Sequence, residues 1–259
     1  MHKKRVKLTV IDNNIEVLFP LIISYEPITL LFDNYIEFSS TSIIILPVLN
    51  KQERYIYILE PDDITDNTVI FNKVSEVSDK FYNNFFIEFT FDFELALYNK
   101  HEEHKYIDII RNINRQELYS TKNKLNEIFS RDEVENRELV LCLLDINSKI
   151  DEILYILKPD EKLENSIPAK SIYIGEEGIF ALVFNKLDEK DFLILKATVR
   201  DSSGFFKFAV KCRYDLFYQK GDNYLYRCLF EGLDSELEDK VIKFVFRRDR
   251  EILKEINNM

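Results

Sequence analysis

The stretch that decides the fold of the last third of the chain is "YLYRCLFEGLDSELEDKVIKFVFRRDRE", residues 224–251. An apolar and aromatic run ends at Phe230, and Gly232 supplies the permissive backbone that a tight turn needs. Ser235 and Glu238 follow at the S-x-x-E spacing of a capping box, which marks the start of a helix. Apolar residues then recur at helical spacing, at Leu237, Val241, Phe244, Val245 and Ile252. The pattern predicts a strand, an acidic turn and a closing helix.

Five further apolar and aromatic runs precede this strand, separated by turn sequences such as "DSSG" and "KGDN". They cover residues 172–174, 179–184, 192–199, 205–210 and 213–218, and residues 224–230 make the sixth run. Six short strands at this spacing are typical of a small β-barrel. The sequence therefore predicts a six-stranded barrel with a closing helix over residues 165–259.

The first hundred residues also favour β-structure. In "IEFTFDFELAL", residues 87–97, apolar side chains alternate with mostly polar ones, as in a strand with one dry and one wet face. Shorter β-rich runs lie at residues 6–10, 43–48, 55–59 and 68–71, and a turn or loop is expected at 62–66. We predict a small N-terminal β domain over residues 1–100. The predicted fold class of the whole chain is α+β, mainly β.

Residues 101–160 change to helical spacing and predict a helical connector between the two β regions. A first helix is expected over residues 105–129, and a second from residue 133 to Pro159. The second helix carries an apolar seam at heptad spacing, formed by Leu139, Leu143, Ile146, Ile150, Ile153 and Leu157. Either the seam packs inside its own chain as an αα-hairpin, or it joins two copies as a homodimer through residues 133–158.

The charge, the cysteine spacing and the length of the apolar runs disfavour several classes of protein. The formal net charge of −11 disfavours a chain whose main task is to neutralise nucleic-acid phosphates. Cys142, Cys212 and Cys228 form no C-x-x-C pair, so we expect neither a disulfide framework nor a zinc site, and a reducing cytoplasm fits. The apolar run at residues 43–49 is much shorter than the roughly 20 residues of a membrane helix. We therefore expect no membrane span and no signal peptide.

The order of these elements resembles a known family. Residues from about 168 to 255 look like a PilZ domain: a strand, a short loop, the further strands of a six-stranded barrel, then the strand, acidic turn and helix quoted above. The helix "LLDINSKIDEILYIL" is similar to the helical lead-in of some multi-domain members. A β domain ahead of a PilZ barrel resembles the flagellar-brake type of layout. The resemblance implies a bacterial regulator of motility that contains a cyclic di-GMP-binding barrel.

The sequence departs from both PilZ ligand motifs. The loop "YIGEEG" stands in the place of D/N-x-S-x-x-G, with Tyr173 at the Asp or Asn position and Gly175 at the Ser position, and only Gly178 matches. Glu176 and Glu177 add negative charge where a nucleotide phosphate would come. The family's R-x-x-x-R motif should fall within residues 150–170, which contain no arginine. We therefore predict a degenerate ligand loop.

One R-x-x-x-R sequence does occur, at Arg111 and Arg115 in "RNINR". On a helix this spacing places two charges on one exposed face, which is the simpler interpretation. If the connector folded back over the barrel, however, the two residues could supply the missing ligand arginines. This possibility defines an alternative function, a true cyclic di-GMP effector.

The sequence offers few residues for a metal site, a catalytic site or a nucleic-acid surface. His101 and His104 in "HEEH" are three residues apart, whereas the zincin pattern has its histidines four apart, so we predict no metal site. No Ser-His-Asp or Cys-His arrangement can be assembled, and we predict no enzyme and no cofactor. Aromatic residues alternate with Lys207, Lys211, Arg213 and Lys220, a pattern that a single-stranded nucleic-acid platform would also show. Nucleic-acid binding is the second alternative.

The sequence thus favours a non-enzymatic adaptor of the bacterial cytoplasm with a degenerate PilZ-like barrel. Its expected partners are proteins, including components of the flagellar motor or basal body. Cyclic di-GMP is disfavoured as a ligand.

Overall fold

Two antiparallel sheets carry the fold in a computed structural model of the chain. The structure describes residues 4–12, 14–50, 53–78, 86–118, 142–143, 145–146, 149–150, 153, 163–201 and 204–257. The first sheet is an open half-barrel and the second closes into a barrel, as the predicted fold class required.

The N-terminal sheet contains eight strands. They are β1 (Lys4–Arg5), β2 (Leu8–Ile11), β3 (Ile15–Leu18), β4 (Leu21–Tyr25), β5 (Ile28–Leu31), β6 (Ile43–Asn50), β7 (Glu53–Thr65) and β8 (Thr68–Ser78), in the spatial order β1-β4-β5-β8-β7-β6-β2-β3. The inner face of this half-barrel carries one apolar cluster, with Leu30, Ile44 and Leu46 fully buried. Ile43 and Ile45 point to the opposite face and are buried as well. Residues 43–48 are apolar without alternation because both faces of β6 are covered.

The predicted loop at residues 62–66 is partly wrong. Strand β7 continues through residues 62–65, with an irregularity between Pro61 and Asp63. The turn falls at Asp66, whose φ of 55° lies in the left-handed region that short polar side chains tolerate. Pro61 interrupts the regular register but does not end the strand, as expected for a proline at a bulge.

The second sheet confirms the predicted six-stranded barrel. Its strands are β10 (Asp92–Tyr98), β11 (Ile167–Gly175), β12 (Gly178–Val183), β13 (Phe192–Asp201), β14 (Gly204–Lys220) and β15 (Asn223–Glu231). Their order is β10-β13-β14-β15-β12-β11, and pairing between β10 and β11 closes the ring. A short strand, β9 (Phe86–Glu88), pairs with the other end of β11.

Two of the six predicted barrel strands differ from the structure. Residues 205–210 and 213–218 form the single strand β14, since Cys212 continues the alternation and is fully buried. The sixth strand is Asp92–Tyr98, which the sequence analysis placed in the N-terminal domain. A period of two predicts a strand but not the sheet that it joins. The predicted boundary at residue 100 therefore falls after a strand of the barrel.

The closing helix (Ser235–Asn257) fills one end of the barrel. Leu237, Val241, Phe244 and Val245 are buried in the barrel core, as their spacing predicted. The predicted capping box at Ser235 and Glu238 is wrong. The cap is Asp234, whose Oδ1 accepts the backbone N–H of Glu236 at 3.0 Å. Asp234 and Ser235 are both residue types that cap helices, and Asp234 occupies the N-cap position.

The connector begins with a short 3-10 turn (Lys100–Glu102) and a helix (Glu103–Leu118), here called the connector helix. Beyond it, the described residues between 142 and 153 are helical, in agreement with the predicted second helix at those positions. Among the helices described, none is long and apolar enough to cross a membrane.

An apolar layer joins the two sheets. From the N-terminal sheet it contains Ile11, Ile43, Ile45, Ile56 and Ile58, and from the barrel Ile172, Tyr173, Phe180, Leu182 and Leu225. All ten side chains are at least nine-tenths buried. This cluster is called the inter-sheet layer below. Its barrel residues lie on β11, β12 and β15, and the first two of these strands carry the candidate ligand loop.

Candidate functional site

The candidate ligand loop is a tight hairpin. Strand β11 ends at Gly175 and β12 begins at Gly178, so only Glu176 and Glu177 lie between them. Ile174 pairs with Ile179 directly below the turn. The carbonyl oxygen of Glu177 accepts the backbone N–H of Phe230 on β15 at 2.7 Å. The loop is therefore a strand connection that is tied to its neighbour rather than an open cradle.

Gly178, the residue that matches the PilZ motif, has a packing role. A Cβ atom added there would lie 2.4 Å from the carbonyl oxygen of Cys228 on the adjacent strand. This distance is shorter than a side chain can tolerate next to rigid backbone. The glycine is explained by the close approach of β15 without a ligand.

Tyr173, at the Asp or Asn position of the motif, lies in the inter-sheet layer. Its side chain is 2% exposed, and its ring packs edge-on against Phe180 with centroids 6.2 Å apart. Burial, together with the nearby carboxylate of Glu88, raises the pKa of the Tyr173 phenol well above its ordinary value. The position that should face a ligand instead faces the chain's own N-terminal sheet.

Glu88 attaches β9 to the N-terminal sheet. It is the register partner of Tyr173, and its Oε1 accepts a hydrogen bond from the hydroxyl of Thr9 at 2.7 Å. Its Oε2 forms an ion pair with the ammonium of Lys7 at 3.1 Å, and the Glu88 side chain is only 7% exposed. Sequence analysis missed this cluster because Thr9 and Glu88 are 79 positions apart and belong to no local motif.

A second polar contact joins the two sheets, between strands β7 and β14. The hydroxyl of Tyr218 donates to Oε1 of Glu60 at 3.0 Å, and the ammonium of Lys220 pairs with the same oxygen at 3.2 Å. These two donors hold the pKa of Glu60 below its ordinary value. The face of the barrel next to the candidate loop is thus fixed by apolar burial and by charged contacts.

The electrostatics of the hairpin are acidic. Partial burial raises the pKa of the Glu176 carboxyl, and the neighbouring charges of Glu177 and Glu238 raise it further. In the part of the chain that the structure describes, no lysine or arginine forms an ion pair with Glu176 or Glu177. This environment is the opposite of a phosphate site, which gathers cationic donors.

The structure does not bring Arg111 and Arg115 to this hairpin. Both side chains are exposed on the connector helix, and Arg111 lies 3.8 Å from the carboxylate of Asp108, one turn earlier. Within the described residues, no hydrogen bond or ion pair links either arginine to residues 175–178. The motif-like spacing therefore coincides with a solvent-exposed helix face.

The connector helix has a different role at the barrel, which sequence analysis also missed. Strand β15 pairs with β14 only from Lys211 onward, which leaves the first half of that β14 edge without a strand. The side-chain amide of Asn114 fills the gap: it accepts the N–H of Ala209 at 2.8 Å and donates to the Ala209 carbonyl at 2.9 Å. The carboxylate of Glu117 accepts the N–H of Lys207 at 3.1 Å and pairs with Lys240 of the closing helix at 2.7 Å. The helix acts as a substitute strand.

The apolar seam is described at four of its six positions. Leu143, Ile146, Ile150 and Ile153 are helical and 47–53% exposed, while Leu139 and Leu157 lie outside the described residues. Lys149 and Asp145 form an exposed ion pair beside the seam at 2.9 Å. The described part of the chain thus covers about half of each seam side chain.

Three basic residues of the supposed nucleic-acid platform, Lys211, Arg213 and Lys220, form ion pairs with carboxylates. The ammonium of Lys211 pairs with Glu103 at 2.6 Å and lies 3.4 Å from the ring centroid of Phe192. Arg213 pairs with Glu231 at 2.7 Å. A nucleic-acid phosphate that bound Lys211 or Arg213 would have to compete with these carboxylates.

His101 and His104 are both exposed at the start of the connector helix. Over the described ranges, no group of three or more His, Cys, Asp or Glu side chains is arranged to hold a metal ion. Cys212 and Cys228 are buried in the barrel core, and burial raises the pKa of both thiols, to about 12 for Cys228. Such thiols are poor nucleophiles at neutral pH.

Comparison with known proteins gives structural matches only. No protein-family profile and no curated protein matches the sequence. One match is the structure of the Bacillus subtilis inhibitor of motility, MotI/DgrA. Its sequence is 8% identical to this chain, the TM-score is 0.39, and the alignment covers 96% of this chain and 97% of that chain. Escherichia coli YcgR in complex with c-di-GMP is 10% identical with a TM-score of 0.33, covering 98% and 88%. The K. pneumonia MrkH–c-di-GMP complex is 6% identical with a TM-score of 0.35, covering 97% and 90%.

Proposed function

We propose that the chain is a non-enzymatic, PilZ-like adaptor whose barrel holds its own N-terminal sheet at the place where the family binds cyclic di-GMP. The observation that carries the proposal is the burial of Tyr173, which replaces the motif's Asp or Asn and is 2% exposed inside the inter-sheet layer. The six-stranded barrel with its closing helix provides the architecture that the sequence resemblance implies. The adaptor acts in the bacterial cytoplasm and needs no cofactor.

Charge opposes nucleotide binding at this hairpin. The two motif arginines are missing, and charge-assisted hydrogen bonds contribute roughly 1.5–3 kcal/mol each. Losing both costs on the order of 3–6 kcal/mol, or about two to four decades of affinity. Glu176 and Glu177 add repulsion toward a doubly negative nucleotide. Messenger binding is therefore lost at the ordinary site.

The packing of the barrel against the N-terminal sheet also opposes nucleotide binding. A ligand that reached Tyr173 would have to separate β11 and β12 from the N-terminal sheet and expose the inter-sheet layer. Fully burying one isoleucine side chain contributes about 1.5–3 kcal/mol, and the N-terminal sheet supplies five of them. It would also break the Lys7–Glu88 ion pair. The apolar layer is therefore a permanent interface and not a vacant cleft.

Docking of other proteins is the function that a barrel without its ligand retains. We propose partners in motility, including flagellar-motor or basal-body components, as the sequence resemblance implies. The half-exposed seam at Leu143, Ile146, Ile150 and Ile153 can also join two copies through residues 133–158. Light scattering on the wild type and on Ile150→Asp tests this: a dimer that becomes a monomer supports the seam interface, and a monomeric wild type removes it.

Calorimetric titration of the full chain with cyclic di-GMP tests the proposal and separates it from the alternatives. We expect no saturable heat. Near-micromolar binding that Arg111→Ala abolishes, and that the exposed control Arg250→Ala leaves unchanged, would establish the effector with connector arginines instead. Retention on single-stranded DNA at moderate salt, lost in Lys211→Ala, would establish nucleic-acid binding.

The docking itself requires a partner-specific test. The tagged chain is used as bait in the organism that makes it, alongside a Tyr173→Asp variant whose inter-sheet layer is disrupted. Enrichment of flagellar-motor or basal-body proteins with the wild type, and their loss with the variant, is the expected result. If the bound proteins belong to other processes, the assignment to motility is wrong even though the adaptor role stands.

A further inference from the structure

The inner face of the N-terminal half-barrel contains a cavity of about 670 Å³ that is separate from the inter-sheet layer. Phe32 and Phe38 pack against each other and Phe38 packs edge-on against Phe71, so aromatic rings fill the apolar trough on one side. On the other side, between the β4–β5 turn and strands β6 to β8, the trough stays open. An open groove of this volume can hold a small organic molecule against its lining.

The lining of the cavity combines buried apolar side chains with aromatic, polar and charged ones. Ile28, Val48 and Phe71 line it and are at least nine-tenths buried. Tyr25 and Tyr57 also line it, and Tyr25 is 50% exposed. An apolar group that enters would remove its own surface and part of the Tyr25 ring from water, which is favourable.

The charges at the rim favour a cation. Lys73 lines the cavity with its ammonium 4.8 Å from the centroid of the Tyr57 ring. The same ammonium donates to Oε2 of Glu76 at 2.6 Å, and Glu26 also lines the rim. Glu76 lies beside the cavity and not in its lining, but its charge and that of Glu26 both act on the Lys73 ammonium, so these three groups together carry more negative than positive charge.

Lys73 shows how a ligand cation can be held here. Its ammonium is stabilised by an aromatic face and by a carboxylate, the two groups with which proteins bind alkylammonium ligands. The hydrogen bond to Glu76 raises the pKa of Lys73, burial opposes this effect, and the negative charges of Glu76 and Glu26 add to it. The side chain is 43% exposed, so solvent and a ligand cation can reach its position.

We propose that this cavity binds a small organic cation with an apolar body, whose cationic head takes the place of the Lys73 ammonium against Tyr57. The body would rest on Ile28, Val48 and Phe71, and Glu26 and Glu76 would supply the opposite charge. This site lies on the other face of the N-terminal sheet from Tyr173, so it is independent of the proposed adaptor function.

Binding of phenyltrimethylammonium and of its charge-inverted counterpart benzenesulfonate to the full chain, followed by NMR or calorimetry, tests the proposal. We expect saturable one-to-one binding of the cation and none of the anion. Lys73→Met should strengthen cation binding because it removes the internal competitor. Tyr25→Ala should weaken it roughly two- to tenfold, because the substitution removes the ring that the apolar body of the ligand covers. Tyr35→Ala, at a 66% exposed tyrosine outside the cavity, should leave it unchanged.

Three results would overturn the proposal. The first is that neither probe binds the wild type or Lys73→Met. The second is that benzenesulfonate binds and that Lys73→Met abolishes its binding, which would assign the cavity to anions. The third is that the cation binds the wild type and Tyr25→Ala with equal affinity, which would place its binding site elsewhere. Lys73 and Tyr25 are both exposed, so the two variants are expected to fold.

Discussion

Tyr173 and Glu88 are register partners on neighbouring strands, and both face the N-terminal sheet. The tyrosine contributes its ring to the inter-sheet layer, while the carboxylate holds Thr9 and Lys7. Directly opposite residues on paired strands lie on the same face of a sheet, so the two side chains form one contact surface. The strand that carries the degenerate ligand motif is thereby committed to an internal interface.

Removing the charge of Glu88 should loosen that interface. Glu88→Gln is expected to lower the free energy of unfolding by about 1–3 kcal/mol, because Lys7 loses a largely buried carboxylate partner. Urea unfolding measures the change. The control Glu76→Gln removes an exposed ion pair of similar length and should cost about 1 kcal/mol or less. Equal unfolding midpoints for the wild type and Glu88→Gln would mean that the cluster does not hold the sheets together.

The substitute-strand role of the connector helix depends on Asn114. Asn114→Ala leaves the N–H and C=O of Ala209 without partners at a buried edge, which is expected to cost about 2–4 kcal/mol. Asn112→Ala, at an exposed position of the same helix, should change stability by about 0.5 kcal/mol or less. Hydrogen exchange at the Ala209 amide gives a local readout: it should accelerate in Asn114→Ala alone, and unchanged exchange would contradict the role.

Gly178 should resist substitution for reasons of packing. Gly178→Ala places a Cβ 2.4 Å from a backbone oxygen of β15, and we expect a loss of about 1–3 kcal/mol as β12 and β15 separate. Gly232→Asn is the comparison, because Gly232 has a φ of 70° and no atom within 4 Å of the added Cβ. Asparagine tolerates this backbone conformation, so the cost should be below about 1 kcal/mol. Thermal unfolding of both variants checks the order, and the reverse order would contradict it.

Glu176 should make stability depend on pH. Burial, Glu177 and Glu238 raise its pKa in the folded state, so the folded chain binds this proton more tightly than the unfolded chain. The ionised carboxylate therefore destabilises the fold at neutral pH, and the penalty disappears as the pH falls through the raised pKa toward the ordinary value of 4.5. Glu176→Gln should raise the melting temperature at pH 7, with the difference shrinking on acidification. A variant that melts lower at pH 7 would exclude this repulsion.

The sequence predicted the barrel and its closing helix because local periodicity specifies them. Leu237, Val241 and Phe244 recur at helical spacing, and turn sequences separate most of the strands. It did not predict that residues 92–98 complete the barrel, because alternation is the same in either sheet. Ser235 and Asp234 are both capping residues, and only the structure shows that the aspartate makes the bond.

The sequence predicted where the candidate site lies in the chain, but not which residues surround it. The departures at Tyr173 and Gly175 are visible in the sequence and indicate a degenerate motif. The burial of Tyr173 depends on contacts between distant segments, such as Thr9 with Glu88, 79 residues apart. No local pattern encodes such a contact. Arg111 and Arg115 illustrate the opposite case, in which a motif-like spacing is present but the structure leaves the side chains in solvent.

The most direct test of the central claim is amide hydrogen exchange across β11 and β12 with and without excess cyclic di-GMP. Our account predicts strong protection of residues 172–174 and 179–182 in the free protein and no change when the nucleotide is added. Weak protection in the free protein, followed by a marked increase around residues 173–178 with the nucleotide, would contradict it and identify the hairpin as a working receptor site.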